Sequence, residues 1–164
     1  MAINIHMQPI THLNYQIDKR KLLEESQSVK DSAEIYTDPR YPGWKIPGYL
    51  TKNYDSEYTT KIMKDLGVQG KSKFYWLHPY TTIPTHVDNG TLCGINFVLT
   101  ENASPITFRN TDYHYKVIIV NTTIPHSVTN NEHLRVLFKI SIFNTTYEQC
   151  VENLKQYHSY GSCT

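Results

Sequence analysis

The stretch LRVLFKISI, Leu134 to Ile142, alternates with the two-residue period of a β-strand that has one fully apolar face. Its even positions are all apolar, as expected where a strand packs against a hydrophobic core. Its odd positions include two cations, Arg135 and Lys139. We therefore expect the second face of this strand to line an interior site that receives negatively charged groups.

Short strand candidates precede this stretch, separated by turn sequences. They are Lys73–Tyr80, Leu92–Leu99, Ile106–Phe108 and Tyr113–Val120. Helices are predicted over Asp18–Lys30, Asp55–Leu66 and Thr145–His158. Closely spaced strands with helices mostly in the first half predict a mainly β domain, a sandwich or barrel with helices packed outside it.

A chain of 164 residues is predicted to form one domain. We expect helices and loops over residues 1–70, a β core over about 71–143 and a closing helix over about 145–158. The segment Thr37 to Asn53 contains three prolines among aromatic residues and is predicted as an ordered loop. Its Trp44 either faces a substrate as part of a lid or holds the loop against the barrel.

The charge balance and the cysteines exclude several classes of protein. A net charge of +1 gives no reason to expect a nucleic acid or a membrane surface as partner. No apolar run approaches the roughly 18–20 residues of a membrane span, and we expect no secretory signal. Three cysteines without CxxC spacing are typical of reduced thiols in a cytoplasmic protein. The oligomeric state stays open.

A metal site is indicated by PTHVDNGTLCGINFVLT, Pro84 to Thr100. His86 and Asp88 are two residues apart, so on an extended segment both side chains point the same way. His126 follows a later predicted strand and completes two histidines and one carboxylate, a ligand set that leaves positions open on Fe(II). A structural zinc site is more often closed and uses cysteine. Taken singly, the same residues would also suit polar turns.

Arg135 lies nine residues after His126, beyond a turn, at the start of the decisive strand. Its planar guanidinium fits a carboxylate in two-point contact. An α-keto acid that chelates a metal through one end carries a second carboxylate at a distance, and Arg135 is placed to receive it. The alternative is an ion pair with a neighbouring acid such as Glu132.

This order of residues, His-x-Asp, a distal His and an Arg about ten positions on, resembles the Fe(II)- and 2-oxoglutarate-dependent dioxygenases. The loops HVDN (His86–Asn89) and PHSV (Pro125–Val128) resemble those of prolyl-hydroxylase-like and aspartyl/asparaginyl β-hydroxylase-like members. The resemblance covers about residues 73–143. It implies a double-stranded β-helix of the jelly-roll, cupin-like type, with iron on His86, Asp88 and His126.

The resemblance also implies that Arg135 holds the far carboxylate of 2-oxoglutarate. It implies hydroxylation of an amino-acid side chain, peptidyl or free, or of a small metabolite, with O2 consumed and succinate and CO2 released. Prolyl-hydroxylase-like members often add a tyrosine from the strand after His-x-Asp, where this chain has Asn96 and Val98. The missing polar contact is therefore expected from other residues. The candidates for it are Asn96, Lys139, Trp76 and His78, and the candidate pocket residues are Trp76, His78, Val98 and Ser141.

Two other classes of protein remain open from the sequence. A non-catalytic cupin-like barrel would use the same fold to hold a sugar or peptide ligand. A different metalloenzyme on this barrel, such as an isomerase or a cysteine dioxygenase-like enzyme, tends to use three histidines. Asp88 and Arg135 together count against that third class, which needs neither.

Overall fold

The computed structural model describes residues 7–38, 40 and 45–159, in which two antiparallel sheets carry three helices on the outside. The strands are β1 Ile10–His12, β2 Glu34–Thr37, β3 Lys45–Asn53, β4 Lys71–Leu77, β5 Thr82–His86, β6 Cys93–Val98, β7 Ile106–Phe108, β8 Thr111–Tyr113, β9 Val117–Val120, β10 His126–Thr129 and β11 Arg135–Ile142. The helices are α1 Lys19–Val29, α2 Glu57–Leu66 and α3 Tyr147–Asn153.

The larger sheet has the order β1-β9-β6-β11-β4-β3-β2, and the smaller has the order β5-β10-β7-β8. Apolar side chains of both sheets pack together between them, among them Leu77 and Ile118 from the larger sheet and Ile83, Phe108 and Val128 from the smaller. Two facing sheets connected in this way form a double-stranded β-helix of the jelly-roll type. The predicted fold class is confirmed.

Strand β11 lies at the centre of the larger sheet, paired with β6 on one side and β4 on the other. Its even residues Val136, Phe138 and Ile140 join the core that packs against the helices. Its odd residues point between the two sheets, where Arg135 and Lys139 are buried. The expectation of an interior polar face on this strand is therefore confirmed.

Trp76 does not lie on the interior face, contrary to the pocket role expected for it. It pairs with Val136 across β4 and β11, and cross-strand partners share a face. The indole is 1% exposed and packs with Phe74 in the helix-side core. The alternate residues of β4, which are Lys73, Tyr75 and Leu77, point to the interior face instead.

Because Trp76 is a core residue, Trp76→Ala is expected to lower the free energy of unfolding by roughly 3–5 kcal/mol. Trp76→Phe keeps an aromatic ring in the same place and is expected to cost less. Denaturant unfolding measures both. A Trp76→Ala protein of unchanged stability that loses substrate binding would instead place the indole in the pocket.

The helix ends follow the capping chemistry of the sequence. Asp18 accepts a hydrogen bond from the Lys21 amide at 3.0 Å and caps α1, as predicted. Helix α2 begins two residues later than predicted, because Ser56 and Thr59 form a capping box. It ends at Gly67, which has φ 66°. Helix α3 is shorter than predicted and is followed by a 3₁₀ turn over Lys155–Tyr157.

The segment predicted as a loop, Thr37 to Asn53, contains the whole of strand β3, so that prediction is wrong for Lys45–Asn53. The pairing of β2 with β3 is irregular between Ile35 and Thr37, whose partners are Leu50 and Lys45. Pro47, which has no amide to donate, and Gly48, with φ 91°, lie in this irregular interval. The single strand predicted over Tyr113–Val120 is also not observed. This region contains the last residue of β8, an irregular interval and then β9.

Other sequence features have simpler outcomes. No helix in the described part of the chain is long and apolar enough to cross a bilayer. Cys93 and Cys150 are buried thiols without a disulfide. Cys163 and Trp44, with the lid role considered for it, lie outside the described residues. The division of the chain at about residues 70 and 145 stays a prediction, although β1, β2 and β3 belong to the larger sheet.

Candidate metal centre

Two strands of the smaller sheet bring the two candidate histidines together. His86 is the last residue of β5 and His126 the first of β10, and they are direct cross-strand partners. The centres of their rings are 4.5 Å apart. The ring of Phe108 from β7 packs against the His126 ring, with the ring centres 5.4 Å apart. The pairing follows from antiparallel register, which places directly opposed side chains on one face.

Asp88 completes a compact group of three donor atoms. Its Oδ1 lies 3.3 Å from Nε2 of His86 and 3.2 Å from Nε2 of His126. The ligand atoms of the three residues all lie within 4.8 Å of one another. Atoms that each sit about 2.1 Å from a metal ion at angles of 90–109° lie about 3.0–3.4 Å apart. The spacing of the carboxylate to both imidazoles therefore suits one ion.

The second nitrogen of each imidazole shows why a cation suits this position. Nδ1 of His86 is 2.7 Å from the Pro84 carbonyl, and Nδ1 of His126 is 2.8 Å from the Ile124 carbonyl. A carbonyl only accepts, so Nδ1 carries the proton and, in a neutral ring, Nε2 presents a lone pair. Three electron-pair donors then converge with no proton between them. This is the arrangement by which proteins orient histidine ligands to a metal.

The backbone around Asp88 is held from two sides. Its amide donates to the Thr122 carbonyl at 3.1 Å, which ties the ligand loop to the segment just before β10. The Arg40 guanidinium donates to the Val87 carbonyl and forms an ion pair with the buried Asp38. These contacts fix the loop between the two ligand residues.

Lys139 contacts Asp88 directly. Its Nζ is 2.5 Å from Oδ2, the carboxylate oxygen that does not face the two Nε2 atoms. Burial alone would raise the pKa of Asp88, but the charge of Lys139 beside it holds the pKa well below its usual range. Burial disfavours the Lys139 ammonium, and the pKa of Lys139 is nevertheless raised because Asp88 lies beside it. Lys139 was predicted to contact the co-substrate, whereas in the structure it pairs with a candidate metal ligand.

Breaking this buried pair is expected to destabilise the metal-free protein. Lys139→Met should lower its free energy of unfolding by roughly 3–5 kcal/mol, because Asp88 is left charged and uncompensated. Excess Mn(II) should recover more stability in the variant than it adds to the wild type, because the ion supplies the missing positive charge. Denaturant unfolding with Mn(II) or with EDTA measures both effects.

Lys155→Met is the matched control, because Lys155 forms an exposed ion pair with Glu152. It is expected to change the stability little, with or without metal. Equal stabilisation of wild type and Lys139→Met by Mn(II) would show that the ion does not bind beside Lys139.

A second polar group lies deeper, around Arg135. The guanidinium is 5% exposed; Nη2 donates to the Tyr115 hydroxyl at 2.9 Å and Nε donates to the Ser104 carbonyl at 3.3 Å. Nδ2 of Asn96 donates to the same hydroxyl at 3.3 Å. Among the described residues no ion pair joins Arg135 to Glu132. The carboxamide oxygen of Asn96 is buried with no hydrogen-bond partner in the described structure.

Tyr115 is a functional candidate that was not predicted from the sequence. The strand after His-x-Asp carries Asn96 and Val98, and the tyrosine beside Arg135 comes from the irregular segment between β8 and β9. Its hydroxyl keeps a proton to donate, so Arg135 and Tyr115 together can bind a carboxylate. A strand prediction that ran unbroken through Tyr113–Val120 concealed this side chain.

The other residues predicted to line the pocket lie at different places in the structure. Val98 faces the interior and packs with Leu137 and Tyr75. Ser141 lies on the interior face and lines a cavity beside Asp88. His78 follows the end of β4 and is half-buried, with its backbone bonded to Gly48 and Asn130. The structure thus brings His86, Asp88, His126 and Lys139 together, and it gathers Arg135, Asn96 and Tyr115 into a second group.

The sequence matches no model of a known protein family and none of the curated proteins. The fold is similar to that of a prolyl-4-hydroxylase from Pseudomonas putida, with a TM-score of 0.67 and 11% identity over 86% of this chain and 96% of that chain. A prolyl hydroxylase from Trichoplax adhaerens, in complex with a hypoxia inducible factor peptide, gives 0.67 and 12% over 86% of each chain.

A viral collagen prolyl hydroxylase from Paramecium Bursaria Chlorella virus-1, in a 2-oxoglutarate complex, gives a TM-score of 0.53 and 8% identity over 80% of this chain and 93% of that chain. At such low identity these likenesses show a shared fold. The function of the site depends on its own residues.

Proposed function

We propose that this protein is an Fe(II)- and 2-oxoglutarate-dependent oxygenase that hydroxylates an amino-acid side chain, peptidyl or free, or a small metabolite. The observation that carries the proposal is the convergence of the two Nε2 atoms on Asp88 Oδ1, at 3.3 and 3.2 Å. Two histidines and one carboxylate form a facial ligand set that leaves coordination positions open. The solved structures of similar fold that are named above are all prolyl hydroxylases.

In this proposal His86, Asp88 and His126 hold the iron. Bound there, Fe(II) with 2-oxoglutarate supplies oxygen activation coupled to release of succinate and CO2. Lys139 holds the outer oxygen of Asp88, so that the inner oxygen keeps facing the histidines. This makes Lys139 a positioning residue.

The same proposal gives Arg135 and Tyr115 the far carboxylate of 2-oxoglutarate. The Arg135 guanidinium and the Tyr115 hydroxyl offer hydrogen-bond donors on the same side of the interior face. A guanidinium together with a hydroxyl binds a carboxylate strongly. Asn96 steadies the Tyr115 hydroxyl. The neighbouring Val98 and Leu137 are apolar and buried, so they keep water from this end of the site.

Two structural neighbours support different parts of this proposal. One is in complex with a peptide fragment, and by analogy a peptide is a proposed substrate of this chain, beside a free amino acid or small metabolite. Another is in complex with 2-oxoglutarate, which supports the proposed co-substrate. A non-catalytic cupin-like barrel stays as the alternative, since fold alone does not determine function.

The test is addition of 2-oxoglutarate to the protein with Fe(II) under anaerobic conditions, followed by exposure to O2. The proposed function predicts a new visible absorption band before oxygen and formation of succinate after it. A binding barrel predicts neither. Absence of both the band and succinate, in protein shown to be folded, would reject the oxygenase proposal.

A further inference from the structure

A cavity of about 280 Å³ opens beside the candidate metal centre, on the side away from Arg135. Its lining includes Tyr36, Lys71, Lys73, Tyr75, Asp88 and Ser141. Asp88 therefore faces both the metal position and this cavity, while Arg135, Tyr115 and Asn96 do not line it. A molecule in the cavity would lie next to the metal without occupying the proposed position of 2-oxoglutarate.

Lys73 is the half-buried cation among the side chains that line this cavity. It is the direct partner of Lys139 across β4 and β11, so both side chains lie on the interior face. Lys73 is half-buried, and among the described residues its ammonium has no ion pair or hydrogen bond. Burial lowers the pKa of Lys73, and the charges of Lys139 and Lys71 lower it further. Asp88 raises this pKa in part, so the amine lies where burial and two like charges outweigh one nearby carboxylate.

The acidic groups of the wall are already compensated. Asp38 is paired with the Arg40 guanidinium at 2.7 Å, and Asp88 is paired with Lys139. Lys71 lies over the Phe143 ring at 5.6 Å, near the cavity mouth. The charges of Lys73 and Lys71 thus remain unbalanced, and a metal bound at Asp88 would add to the positive charge.

Aromatic side chains form the adjoining wall. Tyr36 and Tyr75 line the cavity, and the Tyr49 ring packs between them, with ring centres 5.0 Å from Tyr36 and 5.6 Å from Tyr75. Such rings pack against the apolar part of a small substrate. An ammonium beside an aromatic wall suits a molecule with a short apolar stem that ends in an anionic group.

We propose that this cavity binds the substrate and that Lys73 receives a carboxylate of that substrate, so that the preferred substrates are acids rather than amides or neutral side chains. The inference rests on the proposed function, because it places the acid beside the metal that would act on it. The class includes an acidic residue of a peptide and a small free carboxylic or amino acid.

The experiment measures binding to the full chain loaded with Mn(II) and 2-oxoglutarate. The probes are three acid and amide pairs: capped tripeptides with central Asp or Asn, the same with Glu or Gln, and free aspartate or asparagine. A capped phosphoserine tripeptide is included to separate phosphate from carboxylate. Wild type should bind the acid at least about 10-fold more tightly than the amide in one pair or more, as a charged hydrogen bond provides.

Lys73→Met should reduce this ratio to about one, while the dissociation constants of Mn(II) and 2-oxoglutarate stay within about 2-fold of wild type. Lys52→Met is the matched control. Lys52 pairs with Phe74 of the helix-side core, so it lies on the opposite face of the neighbouring strand. This control should keep the preference for the acid.

Four results would overturn the inference. One is no preference for the acid in any pair, whether because nothing binds or because acid and amide bind equally. Another is an unchanged ratio in Lys73→Met. A third is an equal loss of 2-oxoglutarate binding in that variant, which would place Lys73 in the co-substrate site. The fourth is a phosphoserine peptide that binds more than about 10-fold tighter than either acidic peptide. Failure of wild type to bind Mn(II) and 2-oxoglutarate would instead reject the proposed function.

Discussion

His86→Ala is expected to abolish succinate formation and to weaken Mn(II) binding by at least about 100-fold, with the fold retained. The reason is direct: one of three donors is removed, and loss of even an outer partner of a ligand costs about 10–100-fold in metal affinity. His86 is the cleanest of the three ligands to replace. Asp88→Ala would leave Lys139 buried without its partner, and His126 is packed against Phe108.

Isothermal titration with Mn(II) and a succinate assay with Fe(II) measure the two effects. His133→Ala is the control, because His133 lies outside the cluster and is about half exposed, with 49% side-chain exposure. It should behave like wild type in both assays. Unchanged turnover in His86→Ala would contradict the assignment of the metal ligands.

Arg135→Met is expected to raise the KM for 2-oxoglutarate by about 10–100-fold, the usual effect of losing a hydrogen bond to a charged group. Methionine keeps much of the side-chain volume, so the buried strand should remain packed. Tyr115→Phe should have a smaller effect of about 2–10-fold, because it removes one neutral hydroxyl. Steady-state kinetics at saturating Fe(II) give these values, with unfolding curves to establish that each variant is folded.

Arg135→Lys separates charge from shape. A lysine keeps the charge but cannot offer two parallel N–H groups, so an intermediate KM is expected. Mn(II) affinity should stay unchanged in all three variants, because Arg135 does not contact the three ligand residues. A normal KM in Arg135→Met would exclude the guanidinium as the carboxylate receptor.

The alternation of β11 made the interior face predictable, because a two-residue period assigns every side chain of a strand to one face. The same logic failed for β4, where Trp76 and His78 were predicted as pocket residues. Whether the odd or the even residues of β4 point inward depends on the pairing register with β11. Because Trp76 pairs with Val136, the even residues face the helix-side core. Pairing register arises from contacts between distant segments, so periodicity within one strand does not reveal it.

The clustering of His86, Asp88 and His126 and the interior position of Arg135 were predictable, because those predictions rest on residue type and spacing along the chain. Tyr115 was not, because an unbroken strand would place it on the same face as Ile119, which belongs to the helix-side core. The chain leaves β8 at Tyr113 and begins β9 at Val117, and the irregular interval turns Tyr115 toward Arg135. The neighbourhood of Lys73 and Lys139 likewise depends on register across two strands.

In the proposed site, one metal ion and one dicarboxylate bind at the two polar groups of the interior face. A crystal structure with Mn(II) and 2-oxoglutarate is the decisive measurement. We predict Mn(II) bound by Nε2 of His86, Nε2 of His126 and the Asp88 carboxylate, with the far carboxylate on Arg135 and Tyr115. A metal bound elsewhere, or a co-substrate whose far carboxylate lies away from Arg135, would contradict it.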